Sequence, residues 1–183
     1  LLGLSAFPQT HAMYAGYLGM HGNYSTNINL NQADLLIAIG MRFDDRVTGD
    51  VSRFAKQAKV IHIEIDEAEI NKIIHADIPV HADAKEALTA LLPGVHTKTH
   101  PDWWRTFKEA DAQEYEKVIA RDLAPSGEKI KMAEVIHLLS QKATPDTIIV
   151  TDVGQHQMVT SRYFQYRTPQ INITSGGLGT MGF

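Results

Sequence analysis

Residues 34–40 read DLLIAIG, residues 59–66 read KVIHIEID and residues 146–152 read DTIIVTD. Each is a short run of β-branched and leucine residues that ends on a glycine or a carboxylate. Unbroken apolar runs of this length suit strands covered on both faces, as in a parallel sheet. Gln170 to Thr174 (QINIT) is a weaker fourth run, and Pro79 to Ala82 a brief extended one. Helical patterns lie between them. Asp50 to Gln57 follows the Thr48-Gly49 turn, Glu67 to His75 follows Asp66, and Ala84 to Leu92 follows Asp83. Both of those acids suit an N-cap, because a short carboxylate can accept from the first free N–H groups of a helix. Pro101 to Leu123 is longer, with Trp104, Phe107, Asp111, Tyr115, Val118 and Ile119 recurring at spacings of three and four, and Pro125-Ser126-Gly127 closing it. On that stripe Trp103 and Trp104 are read as packing residues. Lys131 to Lys142 is a further amphipathic helix. Strands alternating with helices in this order specify an α/β architecture with parallel sheet.

The 183 residues carry 17 Lys+Arg against 21 Asp+Glu, a formal net charge of −4, with 44% hydrophobic residues. That balance argues against disorder, and it supplies no general basic field for a nucleic-acid backbone. With no Cys in the chain, disulfides, thiolate nucleophiles and Cys-type zinc sites are excluded. No run approaches the roughly 20 apolar residues needed to cross a bilayer as a helix, so no membrane partner is expected. The chain begins without Met and stops just after a glycine-rich run. The expectation is an internal piece of a longer polypeptide.

Open α/β sheets bind ligands beyond the carboxyl ends of their strands. The first strand runs into Gly40-Met41-Arg42-Phe43-Asp44-Asp45-Arg46, two Asp and two Arg within five residues. A charge cluster on a turn with fixed geometry is placed to meet a ligand, although a solvated surface cluster has the same composition. Glu64 or Asp66 at the end of the second strand could accept hydrogen bonds from ribose hydroxyls, with helix capping the simpler reading of Asp66. Asp83 follows a third extended run. No complete G-x-G-x-x-G precedes these acids, so the ordinary dinucleotide fingerprint is absent. Met20 and His21 sit in a glycine-bracketed loop, Gly19 to Gly22. The nine His are scattered, and no zinc site is read from them. Gly154 at a strand–helix turn opens a helix N-terminus suited to an anion such as phosphate, with Gln155 and His156 in its first turn. Residues 176–182 hold four Gly in seven positions, which lets backbone groups approach a flat ring.

Five strings together resemble the large catalytic subunits of acetohydroxyacid (acetolactate) synthases, thiamine diphosphate enzymes that also bind FAD. They are LGMHGNYSTN at 18–27, ADLLIAIGMRFDDRVTG at 33–49, HIEIDEAEI at 62–70, VGQHQM at 153–158 and TSGGLGTMGF at 174–183. The likeness spans nearly the whole chain except 94–128. It implies the latter part of a Rossmann-like FAD-binding central domain at 1–95, a helical connector at 96–128, and the start of the thiamine diphosphate domain at 129–183.

Carried over by position, His21, Gly40, Arg42, Asp44, Glu64 and Asp83 would contact FAD. The family usually has Asp where this chain has Glu64, and Gly where it has Ala82. Arg46, oriented by Asp45, and Met20 would face the substrate, the guanidinium pairing with the carboxylate of the second 2-oxo acid. Gly154, Gln155 and His156 would contact the diphosphate, and Gly179 with Met181 would hold the aminopyrimidine. Val159 replaces a Trp common in relatives, a packing difference. The implied reaction condenses pyruvate-derived hydroxyethyl-thiamine diphosphate with pyruvate or 2-oxobutyrate in branched-chain amino-acid biosynthesis, with FAD structural. The activating glutamate and the Mg2+ ligands would lie outside these residues, so this piece alone is expected to be inactive. The resemblance also implies a cytoplasmic homodimer or tetramer and a regulatory small subunit. Two alternatives remain open: a pyruvate oxidase-like thiamine and FAD enzyme, and a non-catalytic nucleotide-binding module.

Overall fold

The computed structural model describes residues 2–125, 127 and 129–183. Its elements run α1 (Tyr24–Leu30), β1 (Leu35–Ile39), α2 (Asp45–Thr48), β2 (Lys59–Glu64), β3 (Ile78–His81), α3 (Ala84–Leu91), α4 (Pro101–Glu114), α5 (Ala120–Leu123), α6 (Met132–Lys142), β4 (Ile149–Thr151), α7 (Gln155–Tyr163) and β5 (Asn172–Thr174). All strand pairs among the described residues are parallel, as the sequence predicts. The chain divides into two compact units. A central unit comprises Leu18–Met20 and Tyr24–Lys108, and a terminal unit comprises Leu1–Tyr17, His21–Asn23 and Glu109–Phe183.

In the central unit β1, β2 and β3 lie side by side in that order, with Leu35 opposite Lys59 and Ile61 opposite Ile78. Side chains alternate between the two faces. Leu36, Ala38, Val60 and His62 point into a core completed by Phe43, Phe54, Ala55 and Ala76. Phe43 meets Phe54 and His62 edge to face, at 6.0 and 5.0 Å between ring centroids. The opposite face departs from the expectation of cover on both sides: Leu35, Ile37, Ile39 and Ile78 are each at least 40% exposed. On the same face the central strand is better covered, with Ile61 half-buried and Ile63 fully buried, so it is the flanking strands β1 and β3 that these residues leave open.

Two expected helices are absent. Over Asp50 to Gln57 only Val51–Arg53 forms a 3₁₀ turn, capped by Asp50. Phe54 and Ala55 then leave helical geometry to enter the core, Ala55 at φ 40 with its N–H donated to Asn31 Oδ1 at 3.0 Å. Over Glu67 to His75 the 3₁₀ turn Glu67–Glu69, capped by Asp66, is all that forms. Asn71 turns left-handed at φ 60 and its side chain accepts from the Ala76 N–H at 2.8 Å. Asn tolerates that conformation, and β-branched Ile70, Ile73 and Ile74 add little helix propensity to oppose it. Asp83 does cap α3, accepting from the N–H groups of Lys85 and Glu86. In α4 both Trp103 and Trp104 contact the buried Phe107 ring; half-buried Trp104 keeps the expected packing role, whereas Trp103 is 40% exposed and only lies against it.

In the terminal unit β4 pairs with β5, and α6 and α7 pack together. The core is Leu4, Phe164, Tyr166 and Ile171, flanked by Tyr17, Ile136, Ala143 and Ile149. The strap 2–17 belongs here: Gln9 exchanges two hydrogen bonds with Tyr166, at 2.9 and 3.1 Å, and Ser5 Oγ accepts from the Asn172 N–H at 3.2 Å. Arg167 donates to the carbonyls of Ser140 and Ala143, satisfying acceptors that the end of α6 leaves open. The helix expected over Pro101 to Leu123 does run through α4 and α5, but Tyr115–Ile119 between them is wound as π-helix. Of the closing run Pro125-Ser126-Gly127, Ser126 lies outside the described residues.

Burial pushes the Tyr14 hydroxyl up to about 12, with repulsion from Tyr17 adding to it, and pushes Tyr163 up to about 12, with Asp122 adding to it. A folded value above the unfolded one means that the stabilisation is whole below the unfolded value of about 10 and disappears as pH rises through about 12. A titration followed by tyrosinate absorbance should therefore leave Tyr14 and Tyr163 neutral while the chain is folded, ionising them together with alkaline unfolding. Smooth ionisation near the free-tyrosine value in a folded chain would contradict this.

Candidate cofactor site

Because β1, β2 and β3 are parallel, their carboxyl ends share one edge. That edge gathers Gly40, Arg42, Asp44, Glu64 and Asp83, all expected on the FAD. Gly40 holds φ 60, with its N–H on the Ile63 carbonyl at 2.9 Å and open space where a Cβ would stand. Arg42 reaches the Asp44 Oδ2 at 3.2 Å, while Asp44 Oδ1 accepts from the Arg46 N–H and caps α2. Arg42 is therefore held by the residue that starts the next helix. Glu64, nearly buried, accepts with Oε1 from the N–H groups of Ile65 and Asp66. Asp83 uses Oδ1 for the α3 cap. Each of these two acids keeps its second oxygen without a partner among the described residues. The edge thus offers carboxylate acceptors, a guanidinium and a bare glycine, a donor set suited to a nucleotide-like ligand.

Arg46 pairs with Asp45 at 3.4 Å, but both side chains are more than two-thirds exposed. An ion pair in that setting contributes little and does not fix the guanidinium. Met20 is brought to Arg46: its N–H donates to the Arg46 carbonyl at 2.7 Å, and Asn27 exchanges two hydrogen bonds of 3.0 Å with Gly19. The exposed Met20 side chain leaves that anchor free.

His21 belongs to the terminal unit. Tyr17 donates to its carbonyl and lies 3.0 Å from Ser161 Oγ on α7, while Arg162 donates to the Gly22 carbonyl at 3.3 Å. In the same unit Gly154 precedes α7 at φ 150, and no side chain caps that helix start. The first N–H groups of α7, on Gln155, His156 and Gln157, have no partner among the described residues. A methyl at 154 would come within 3.0 Å of Cε1 and Nδ1 of His156, so the glycine makes the room that the ring occupies. Uncapped N–H groups beside a glycine suit an anion, and the residues expected at the diphosphate fit that group. Gly179, at φ 73, donates its N–H to the Ser175 carbonyl at 2.8 Å, and Met181 is exposed.

Three features escaped the sequence reading. His62, treated there as one of nine scattered histidines, is fully buried, bonds the Met41 carbonyl through Nε2 at 2.8 Å and meets Phe43 edge to face. It ties β2 to the loop that carries Arg42. A polar residue in the middle of an apolar strand was the available signal. His62→Leu keeps the bulk and leaves the part-buried Met41 carbonyl without its donor, while also removing the buried Nδ1 that has no partner among the described residues, so it should cost about 1 kcal/mol in chemical denaturation; an unchanged midpoint would refute the tie. The second is Asp152, which holds His156 Nε2 at 2.5 Å and the Gly182 N–H at 2.9 Å. The Gly182 N–H, against a small burial effect and with His156 helping, keeps its carboxyl below the usual range. The third is Arg162, ion-paired with Glu114.

Residues 1–91 match the family described as the central domain of thiamine pyrophosphate enzymes. The acetolactate synthase large subunit of Lactococcus lactis subsp. lactis is 44% identical over 187 residues, covering 100% of this chain and 31% of the relative. Isozyme 3 of the Escherichia coli large subunit is 40% identical, covering 100% and 32%. The probable acetolactate synthase large subunit of Methanocaldococcus jannaschii is 41% identical, again covering 100% and 32%. The chain spans about a third of the length of the curated relatives it matches. Residues 1–91 thus belong to the thiamine pyrophosphate enzyme central-domain family, and the whole chain is homologous to acetolactate synthase large subunits.

Proposed function

We propose that these residues are part of an acetolactate synthase large subunit that joins a two-carbon unit from pyruvate to a second 2-oxo acid, pyruvate or 2-oxobutyrate. The observation that carries the reading is the alignment of the whole chain, at 44% identity, with a subunit of that name. In this reading residues 1–95 are the latter part of an FAD-binding domain, 96–128 a connector and 129–183 the start of the thiamine diphosphate domain. The exposed apolar residues of β1 and β3, Leu35, Ile37, Ile39 and Ile78, support a larger central domain than these residues form alone.

The residues divide the work by chemistry. Bound thiamine diphosphate would supply the electron sink for decarboxylation. Gly154 with the first N–H groups of α7 and His156 would hold its diphosphate, Gln155 would add an amide donor, and Gly179 with Met181 would bracket its pyrimidine. His21, Gly40, Arg42, Asp44, Glu64 and Asp83 would hold FAD as a structural element, since the condensation transfers no electrons. Arg46, unconfined by its weak pair with Asp45, would meet the carboxylate of the acceptor acid, with Met20 as an adaptable apolar wall beside it. Mg2+, ligated by residues beyond these, would accompany the diphosphate. Assembly as a dimer or tetramer with a regulatory small subunit, in the cytoplasm, completes the reading.

The full-length protein supplied with thiamine diphosphate, Mg2+ and FAD should form acetolactate from pyruvate, while the 183-residue chain alone should not. Oxygen-dependent acetyl phosphate would instead establish the pyruvate oxidase-like alternative. Absence of any response to thiamine diphosphate would leave a nucleotide-binding module.

A further inference from the structure

We propose that Asp152 is a positioning residue that joins the two thiamine diphosphate-facing segments of the terminal unit, the start of α7 and the glycine-rich loop. This rests on the reading of those segments given above. Asp152 stands at the end of β4, one residue past Thr151, and its two carboxylate oxygens serve two different segments. Oδ1 takes His156 Nε2 at 2.5 Å and Oδ2 takes the Gly182 N–H at 2.9 Å. The first contact sets the ring orientation. With Nε2 on the carboxylate, Nδ1 lies beside Gly154, in the space a Cβ there would fill, and close in sequence to the uncapped N–H groups of α7. The second contact closes the loop, which is already folded on itself by the Gly179 N–H on the Ser175 carbonyl and by Ser175 Oγ on the Thr180 carbonyl at 2.7 Å. Thr151 and Thr174, which pair across β4 and β5, share a 3.0 Å hydroxyl contact, and Gln157 of α7 donates to the same Thr174 oxygen at 2.6 Å. That layer fixes the strand ends beneath Asp152. Among the described residues, only Asp152 reaches from them to both the ring and the loop.

The charge of Asp152 makes the idea sharply testable. A carboxylate near a bound diphosphate repels it, so a bystander acid would, on removal, let the diphosphate bind more tightly. A positioning acid would, on removal, weaken binding in spite of that relief. Asn keeps an acceptor for the Gly182 N–H but offers a neutral amide N–H in place of the second carboxylate oxygen, so it can hold His156 only in the tautomer whose Nε2 accepts, and more weakly than a charged acceptor does. Ser is too short for either.

The test uses the full-length protein with Mg2+, titrated with thiamine diphosphate and separately with FAD, in wild type, Asp152→Asn and Asp152→Ser. The expected result is a thiamine diphosphate Kd raised about tenfold in Asp152→Ser, equivalent to about 1.4 kcal/mol, and less in Asp152→Asn. FAD affinity and melting temperature should stay unchanged. Hydrogen exchange of the ligand-free protein should speed up in the peptide containing Gly182, and not in the β1–β3 peptides. Because Asp152 is solvent-accessible, neither variant is expected to unfold, and Asp152→Asn preserves the side-chain shape should Asp152→Ser prove unstable. Unchanged or tighter thiamine diphosphate binding in both variants, with the wild type binding, overturns the positioning role alone. Failure of the wild type to bind thiamine diphosphate overturns the thiamine reading and the positioning role with it.

Discussion

Gly19→Ala is expected to cost about 4 kcal/mol, a large share of the roughly 5–15 kcal/mol that holds a domain folded. Gly19 sits at φ +112, and a Cβ there would lie 2.7 Å from the Arg46 carbonyl oxygen and 3.4 Å from the Val47 Cα. An L side chain at such a φ carries about 1–3 kcal/mol of strain. The obstructing atoms are backbone, so no side chain can rotate away, and overpacking adds about 1–3 kcal/mol. Relief by moving the segment would break the 2.7 Å hydrogen bond from the Met20 N–H to the same carbonyl. Gly40→Ala is the control. Its φ is +60, with nothing within 4 Å of the position a methyl would take, so only about 1–2 kcal/mol of left-handed strain applies. Urea midpoints of the two variants should differ accordingly, and equal midpoints would refute the close approach at Gly19.

That contrast marks what could be read from the sequence and what could not. Gly19 and Gly40 are both glycines beside apolar segments, and nothing local says that one faces a carbonyl and the other open space. Strand content and parallel pairing were legible because runs such as DLLIAIG have few other stable uses. The carboxyl-edge placement of Arg42, Asp44, Glu64 and Asp83 followed from that pairing. The capping roles of Asp66 and Asp83 were legible too, since a carboxylate followed by helix formers has a local meaning. The helix expected over 50–57 failed for a tertiary reason, Phe54 and Ala55 being drawn into the core, and the one over 67–75 for a local one, Asn71 turning left-handed and accepting from the Ala76 N–H. His62, Asp152 and Arg162 were hidden because their partners, Met41, Gly182 and Glu114, lie 21, 30 and 48 positions away. Spacing motifs do not capture pairs of that kind.

Arg42 and Arg46 show why a charge cluster needs its geometry. The two differ by four positions, Arg42 in the loop before α2 and Arg46 within it, yet Arg42, though half exposed, is held by two N–H groups on the acid that caps α2, while Arg46 pairs only with an exposed neighbour. A held guanidinium suits a ligand that stays in place, such as a structural cofactor. A free one suits a ligand that comes and goes, such as an acceptor acid. The division of roles proposed for them has this physical basis.

Glu114→Ala should cost about 3 kcal/mol, the second large effect. Glu114 near the end of α4 and Arg162 on α7 form an ion pair whose side chains are 8% and 19% exposed. Burial works against the Arg162 charge, and the Glu114 carboxylate more than offsets it, so the guanidinium is held more firmly protonated than usual. Removing one member of such a pair leaves the other desolvated, at about 3–5 kcal/mol. The lower figure applies because Arg162 keeps the Gly22 carbonyl at 3.3 Å and lies 6.0 Å from the Tyr163 ring. The double variant Glu114→Leu with Arg162→Met removes both charges and keeps much of the apolar volume, so it should be more stable than either Glu114→Leu or Arg162→Met alone. The coupling from the full cycle should be about 2 kcal/mol. Arg162→Met carries a second consequence that Glu114→Ala does not: it releases the Gly22 carbonyl, leaving the His21–Asn23 turn held by Tyr17 through the His21 carbonyl and the Asn23 side chain. Hydrogen exchange should therefore rise at residues 21–23 in Arg162→Met. Equal protection there in both variants would mean that Arg162 stabilises the pair of helices without holding the turn.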